Sequence, residues 1–149
     1  MELVALSRRI NDEQVSVAVA TIETALGSLE GVAVLVLGLT YRHGVRELAY
    51  SRALPLIEQL RSRGARVFAY DALLSSDEIV GIGAEPYAWG DSSEVRAVVT
   101  QTADPQFNEL GFDWFPRLEL VYDGRNSLRD MTPPGGVAYY GVGVPAELR

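Results

Sequence analysis

The most informative run of the sequence reads Val32-Ala33-Val34-Leu35-Val36-Leu37-Gly38. β-Branched and aliphatic residues follow one another here without polar alternation, which is typical of a parallel strand buried on both faces. We therefore predict that this run is a strand at the centre of a parallel sheet.

A helix and a second strand follow the central run. Ser51 can cap a helix, and Gly64 stands just past its last apolar position. The next run, Ala65-Arg66-Val67-Phe68-Ala69-Tyr70, is predicted to be a strand that ends at Asp71. Strand, loop, helix and strand together take about forty residues, which is the length of a βαβ unit. The apolar residues of the predicted helix are Ala53, Leu54, Ile57 and Leu60.

The segment before the central run is predicted to be helical. Its apolar residues recur in steps of three and four, which places them on one face of a helix that Gly31 ends. They are Val15, Ala18, Val19, Ile22, Leu26 and Leu29. The same spacing continues upstream through Leu3, Leu6 and Ile10. Asn11 and Asp12 could instead cap a second helix, and the residues alone leave both arrangements open.

The rest of the chain keeps alternating strands with short helical segments. Helix starts are predicted at Ser76 and at Asp104, which precedes Pro105. Strands are predicted over 85–89, 97–100, 118–122 and 137–142. The pattern indicates an α/β fold: a doubly wound, mainly parallel sheet of about five to six strands with flanking helices, preceded by an N-terminal helix.

Size and charge restrict the class of protein. The chain has 149 residues, of which 48% are hydrophobic, enough for one domain with its own core. Its formal net charge is −7 and all of its basic residues are Arg. An acidic domain of this kind is not expected to bind nucleic acid.

Cysteine and histidine content restrict the chemistry. The sequence contains no Cys and a single His, His43. Disulfides, thiolate metal sites, a cysteine nucleophile and a histidine-based zinc site are thereby excluded for this chain. The apolar runs have the length of strands, far below the roughly 20 residues of a membrane span. We therefore expect no membrane contact and a cytoplasmic location.

The loop after the central strand carries the strongest candidates for ligand binding. Ligands of open parallel sheets sit outside the carboxyl ends of the strands. This loop holds Tyr41, Arg42 and Arg46, and Ser51 at the next helix start follows it. Guanidinium groups bind phosphate in bidentate fashion and a tyrosine ring can stack on a base. Alternatively, these residues bind no ligand: the arginines are solvated and the tyrosine covers the core.

A third arginine and several carboxylates complete the candidate set. Arg125 follows the fifth strand and could add to a phosphate site. The glycine fingerprint of dinucleotide sites is absent after Gly38, which argues against NAD binding to this domain. Glu47 and Asp123 carry carboxyl groups that could act as a general acid or base. The sequence does not indicate a nucleophile, a base and an orienting group that act together, so no catalytic residue is assigned.

Four short motifs together carry a family resemblance. They are 34–42 (Val-Leu-Val-Leu-Gly-Leu-Thr-Tyr-Arg), 51–54 (Ser-Arg-Ala-Leu), 63–65 with Tyr70-Asp71, and 122–126 (Tyr-Asp-Gly-Arg-Asn). In order and spacing they resemble the C-terminal, UDP-binding domain of the UDP-glucose, UDP-N-acetylmannosamine and GDP-mannose dehydrogenase family. The similarity extends over about residues 31–143 and implies a Rossmann-like fold.

The resemblance implies a function and a site. Residues 31–149 would bind the UDP part of a UDP-sugar, with Tyr41, Arg42 and Arg125 as contacts. Thr40, Arg46, Ser51 and Asp123 are additional candidates. Residues 1–30 resemble the end of the family's central dimerisation helix, which implies that the protein is a homodimer. The resemblance also implies that this chain is a piece of a larger protein, either excised from it or produced by a truncated gene. The NAD-binding domain and the catalytic cysteine of these dehydrogenases would lie outside this chain. We therefore expect this chain to bind no cofactor and to be inactive alone.

Departures from the family pattern leave alternatives. Arg46 stands three residues before the family's Arg-Glu-Ser signature, and Arg52 and Ala72 replace family prolines. A regulatory or assembly module that has lost nucleotide binding is the main alternative function. An independent small-molecule enzyme that uses Asp71 or Glu47 is a third. The sequence does not select the sugar, and the resemblance implies a role in cell-surface polysaccharide synthesis.

Overall fold

The computed structural model describes residues 2–40, 48, 51–125, 128 and 131–141, and within 2–11 the side chains of Leu6 and Arg9 only. In these residues it contains three α-helices: α1 (Glu2–Leu26), α2 (Ala53–Ser62) and α3 (Ser76–Gly81). The strands are β1 (Ala33–Leu37), β2 (Arg66–Tyr70), β3 (Glu85–Pro86), β4 (Ala97–Thr100), β5 (Leu120–Asp123) and β6 (Ala138–Gly141).

All strands belong to one parallel sheet of order β3-β2-β1-β4-β5-β6. This is the strand order of Rossmann folds, in which the chain reverses direction across the sheet between the first and fourth strands. The predicted fold class is therefore confirmed. The reversal places the carboxyl ends of β1 and β4 side by side, where a crevice forms.

The central strand β1 is buried on both of its faces, as its uninterrupted apolar run predicts. Val34 and Val36 pack into one core layer, whereas Leu35 and Leu37 pack into the other. All of them are 0% exposed. A strand that is enclosed in this way fixes the register of β2 and β4 on its two sides.

The first face of the sheet is covered by the α-helices. α1 is one continuous helix, which resolves the alternative that Asn11 and Asp12 start a second one. Its residues Val15, Val19 and Ile22 are buried in the same layer as Leu56, Ile57 and Leu60 of α2. The periodic apolar residues of both segments thus form one joint core with the sheet.

The second face of the sheet carries no α-helix in the part of the chain that is described. Two 3-10 helices, Pro105–Glu109 and Phe112–Trp114, cover it. Phe107 and Phe115 are buried there, and the rings of Trp89 and Trp114 meet edge to face at 5.4 Å between centroids. The predicted helix start at Asp104 is observed, because its side chain accepts a hydrogen bond from Gln106 N at 2.9 Å.

Strand ends differ from the predicted ones by a few residues. The edge strand predicted over 85–89 is limited to Glu85–Pro86. The strand predicted over 118–122 is Leu120–Asp123, because Leu118 N is turned back to Phe115 O at 3.1 Å. The last strand is Ala138–Gly141. Its predicted end, residue 142, lies outside the described residues.

Candidate functional site

The turn after β1 is held by the carboxylate of Asp71, which follows β2. Its Oδ2 accepts hydrogen bonds from Leu39 N at 2.8 Å and from Thr40 N at 3.1 Å. Its Oδ1 accepts one from Leu73 N at 2.9 Å. Asp71 is buried, so these backbone N–H groups replace the water that a carboxylate would otherwise bind.

Gly38 allows the loop after β4 to approach the same turn. Its φ is +89°, and a Cβ at this position would lie 2.6 Å from Thr102 Cβ and 2.8 Å from Thr102 N. Thr102 Oγ1 donates to Thr40 O at 2.6 Å. The loops that follow β1, β2 and β4 are therefore packed together at the carboxyl edge of the sheet.

Ser51 connects this turn to the start of α2. Its Oγ donates to Leu39 O at 2.7 Å and accepts from Ala53 N at 3.1 Å. Arg52, just before α2, already has helical dihedral angles of φ −75° and ψ −16°. Ser51 therefore makes the hydrogen bond of a helix cap, as predicted, and in addition fixes the turn after β1.

Asp123 at the end of β5 organises the loop that carries Arg125. Its Oδ1 accepts from Thr100 Oγ1 at 2.6 Å, and its Oδ2 accepts from Leu128 N at 2.7 Å and from Tyr139 Oη at 2.6 Å. Asp123 is 0% exposed. The carboxylate is thus turned inwards, where it joins β4, β5 and β6.

A cavity of about 490 Å³ opens beside this loop. It lies between α1, the start of α2 and the carboxyl ends of β4, β5 and β6. This volume lies in the range of small-molecule sites, about 300–1,000 Å³. Its described lining residues are Glu13, Gln14, Val15, Val17, Ala18, Arg52, Gln101, Tyr122, Gly124 and Gly141.

The polar groups of the cavity come from separate elements. Arg52 Nη1 donates to Gln14 Oε1 of α1 at 2.6 Å. Burial raises the pKa of the Tyr122 phenol above its ordinary value, and the Arg52 guanidinium opposes this shift. Tyr122 therefore stays neutral at physiological pH. Its ring stacks with Tyr140 at 6.5 Å between centroids, so the wall of the cavity offers an aromatic surface, amides and a cation.

The predicted site residues fall into three groups. Thr40, Ser51 and Asp123 are buried at the carboxyl edge. Arg125 is exposed on the loop after β5, next to Gly124 of the cavity lining. The third group lies outside the described residues and comprises Tyr41, Arg42 and Arg46, together with His43 and Glu47.

The cavity also contains residues that the sequence analysis did not assign to the site, namely Gln14, Arg52, Gln101 and Tyr122. Gln101 and Tyr122 carry a signal that could have found them, because they stand at the carboxyl ends of predicted strands. For Gln14 the sequence gives no such signal, since its place in the site depends on how α1 packs.

Metal and membrane sites are not found among the residues described. These residues hold no cluster of three or more His, Cys, Asp or Glu side chains that could bind a metal ion. None of the helices in the described part of the chain is both long and apolar enough to cross a membrane.

Comparison with known proteins decides the family. A model of the UDP-glucose/GDP-mannose dehydrogenase family, UDP binding domain, matches residues 35–130. The chain belongs to this dehydrogenase family. The match runs from within β1 to beyond β5 and includes the loop of Arg125. It confirms the predicted resemblance to the family's C-terminal, UDP-binding domain.

Individual relatives agree with this family assignment. UDP-glucose 6-dehydrogenase TuaD of Bacillus subtilis is 30% identical over 145 residues, covering 91% of this chain and 31% of the relative. UDP-N-acetyl-D-mannosamine dehydrogenase of Pyrococcus horikoshii is 28% identical over 155 residues, covering 95% and 33%. The chain thus spans about a third of the length of these relatives.

Solved structures give the same result for the fold. The UDP-glucose dehydrogenase of the archaeon Pyrobaculum islandicum superimposes with a TM-score of 0.73 at 28% sequence identity. The superposition covers 92% of this chain and 31% of that one. This chain therefore shares the architecture of about a third of that structure at low sequence identity.

Proposed function

We propose that this chain binds the UDP part of a nucleotide sugar at the carboxyl edge of its sheet. The observation that carries the proposal is the match of residues 35–130 to the family's UDP binding domain, because this segment builds most of that edge. Arg125, exposed beside the cavity, supplies a cation on one side. In the proposal, Tyr41 and Arg42 supply the ring and the second cation.

The buried candidate residues determine the shape of the site. Thr40, Ser51 and Asp123 make their hydrogen bonds to neighbouring loops. We assign them the task of holding these loops in place while the arginines contact the ligand. Arg46 stays a prediction as a further contact.

NAD is not the proposed ligand of this domain. In dinucleotide sites, backbone N–H groups after the first strand face the pyrophosphate. Here Asp71 accepts the hydrogen bonds of Leu39 N and Thr40 N, and its charge would repel a phosphate. The cavity beside Asp71, lined by Gly38 and Thr102 among others, measures only about 60 Å³.

We further propose that the chain works as part of an NAD-dependent UDP-sugar 6-dehydrogenase. The relatives named as dehydrogenases are about three times as long, and the sequence here contains no Cys. A catalytic cysteine and the NAD site would belong to other segments of such an enzyme. The role in polysaccharide synthesis and the cytoplasmic location stay predictions.

Isothermal titration with UDP, GDP and NAD at low salt tests the binding proposal. We expect UDP to bind and NAD to give no heat. Arg125→Ala and Arg42→Ala should each weaken UDP binding at least about tenfold, equivalent to about 1.4 kcal/mol. Arg117→Ala is the matched control, because Arg117 is an exposed arginine whose partner is Glu94 at 2.6 Å.

The outcomes separate the functions under consideration. Unchanged UDP affinity in both variants, or no UDP binding up to millimolar concentration, would contradict the proposal and favour an assembly module. Heat from NAD would contradict the assignment of the ligand. An equal response to GDP would leave a nucleotide site without base preference.

A homodimer through α1 is proposed as the form of the protein. Every α1 side chain that is described before Val15 is exposed. Among them Leu6 is apolar and is 43% exposed. A second copy can cover such a segment symmetrically. Light scattering at tens of micromolar should give twice the monomer mass, and a strict monomer would contradict the proposal.

A further inference from the structure

The contact between Arg52 and Gln14 joins two walls of the 490 Å³ cavity. Gln14 belongs to α1, whereas Arg52 precedes α2, so the residues are 38 positions apart in sequence. The Nη1–Oε1 distance of 2.6 Å places the guanidinium against α1. Arg52 is thus held at the cavity wall by a second element of the fold.

Charge in the cavity is concentrated in few groups. Of the described lining residues, Arg52 carries a positive charge and Glu13 a negative one, while the others are neutral. Arg52 and Tyr122, which stands near the carboxyl end of β5, line the same cavity. An anion that enters between α1 and β5 would therefore meet this cation.

The backbone at the start of α2 offers few donors to such an anion. Ala53 N is already bonded to Ser51 Oγ at 3.1 Å, and Pro55 has no N–H group. The side chain of Arg52 therefore adds a charged donor at a place where Ala53 and Pro55 offer no free N–H group.

We propose that Arg52 is a diphosphate-binding residue of this cavity and that Gln14 positions its guanidinium. The proposal rests on the proposed function, because it takes UDP as the occupant. A guanidinium has five N–H donors in a planar fork and binds phosphate oxygens through parallel hydrogen bonds. The bond to Gln14 fixes the plane of this fork, which reduces the rotamer freedom lost on binding.

Titration of the whole chain with UDP, UMP and uridine tests the proposal. Arg52→Ala should weaken UDP binding by about tenfold or more, while uridine binding changes by less than about twofold. Arg52→Lys should fall between, because an ammonium keeps the charge but lacks the fork. Gln14→Ala should weaken UDP binding by about two- to fivefold, and this loss should vanish when Arg52 is already Ala.

Arg63→Ala is the matched control. Arg63 also connects the region of α2 to α1, through an ion pair with Glu23 at 2.9 Å, but at the opposite end of α2. Its replacement removes a comparable contact between the helices without touching the cavity lining. UDP affinity should therefore be unchanged in this variant.

Each of the following results would contradict the proposal and would show which part of it is wrong. Wild-type UDP affinity in Arg52→Ala shows that Arg52 does not bind the diphosphate, while the proposed function stands. Equal losses for UDP and uridine, or an equal loss in Arg63→Ala, assign Arg52 to structure only. Absence of UDP binding in the unaltered chain removes the proposed function and this inference with it. If Arg52→Ala does not fold, Arg52→Lys and Gln14→Ala give the same decision.

Discussion

The phenol of Tyr139 in β6 donates a 2.6 Å hydrogen bond to Oδ2 of Asp123, the last residue of β5. Asp123 is 0% and Tyr139 5% exposed. The Asp123 carboxylate is bonded to β4 and to the loop beyond Arg125 as well. The placement of the proposed ligand contact Arg125 therefore depends on a buried carboxylate and on a strand edge.

Tyr139→Phe should destabilise the protein. The buried carboxylate of Asp123 loses a donor that water cannot easily replace, which costs about 1–3 kcal/mol. Urea denaturation measures the free energy of unfolding. Tyr140→Phe is the control, because Tyr140 is only partly buried and its ring contact with Tyr122 is kept; its effect should be within about 0.5 kcal/mol. Equal effects of both substitutions would contradict the structural role assigned to Tyr139.

Asp71→Ala should release the turn after β1. Leu39 N and Thr40 N lose their shared acceptor, and amide hydrogen exchange at both positions should become faster. The free energy of unfolding should fall by about 1–3 kcal/mol. Asp104→Ala is matched to it, because Asp104 accepts a backbone hydrogen bond from Gln106 N, and the loss of this bond should leave exchange at Leu39 unchanged.

Unchanged exchange at Leu39 and Thr40 in Asp71→Ala would show that the carboxylate does not hold the turn. UDP titration of the same variant separates structure from binding. If the turn positions Tyr41 and Arg42, as the proposed function requires, UDP affinity should fall together with the protection of the amides.

The central part of the fold could be predicted because its signals are local. The run over 32–38 is apolar throughout, and Gly64 ends the periodic pattern of α2. In both places burial and local preference agree. The position of Arg125 beyond a buried strand was equally predictable, since parallel strands present their carboxyl ends on one edge.

What the sequence did not reveal depends on contacts between distant residues. Arg52 meets Gln14, and Asp71 meets Leu39 32 positions away, and no pattern in either segment predicts these pairs. For the cover of the second face, the sequence predicted only the helix start at Asp104. Phe107 and Trp114 belong to two separate 3-10 helices, and Trp114 and Phe115 meet through their rings, arrangements that the spacing of these residues does not reveal.

Gly38→Ala should be far more costly than Gly27→Ala. Both glycines have a positive φ, +89° and +90°, and an alanine there costs about 1–2 kcal/mol. At Gly38 the Cβ would in addition lie 2.6 Å from Thr102 Cβ, whereas at Gly27 it meets nothing within 4 Å. Thermal denaturation of both variants gives the comparison. Similar midpoints would show that the loops after β1 and β4 can separate without cost.

Alkaline pH should destabilise the protein through Tyr87. Burial, and then the charge of Asp91, raise the pKa of this phenol from 10.0 to about 12. The folded state therefore holds the proton between these values while the unfolded state releases it. The stabilisation is fully present below pH 10 and is lost as the pH rises towards 12, with a slope of at most about 1.4 kcal/mol per pH unit.

Tyr87→Phe isolates this contribution. The variant loses the hydrogen bond from the phenol to Asp91 O at every pH, so it should be less stable than the wild type by a constant amount up to about pH 10. Above that pH the wild type alone loses the stabilisation from Tyr87, because phenylalanine has no proton to release. The difference between the two unfolding free energies should therefore shrink towards about pH 12. A difference that stays constant over this range would show that Tyr87 ionises at the same pH in the folded and unfolded chain.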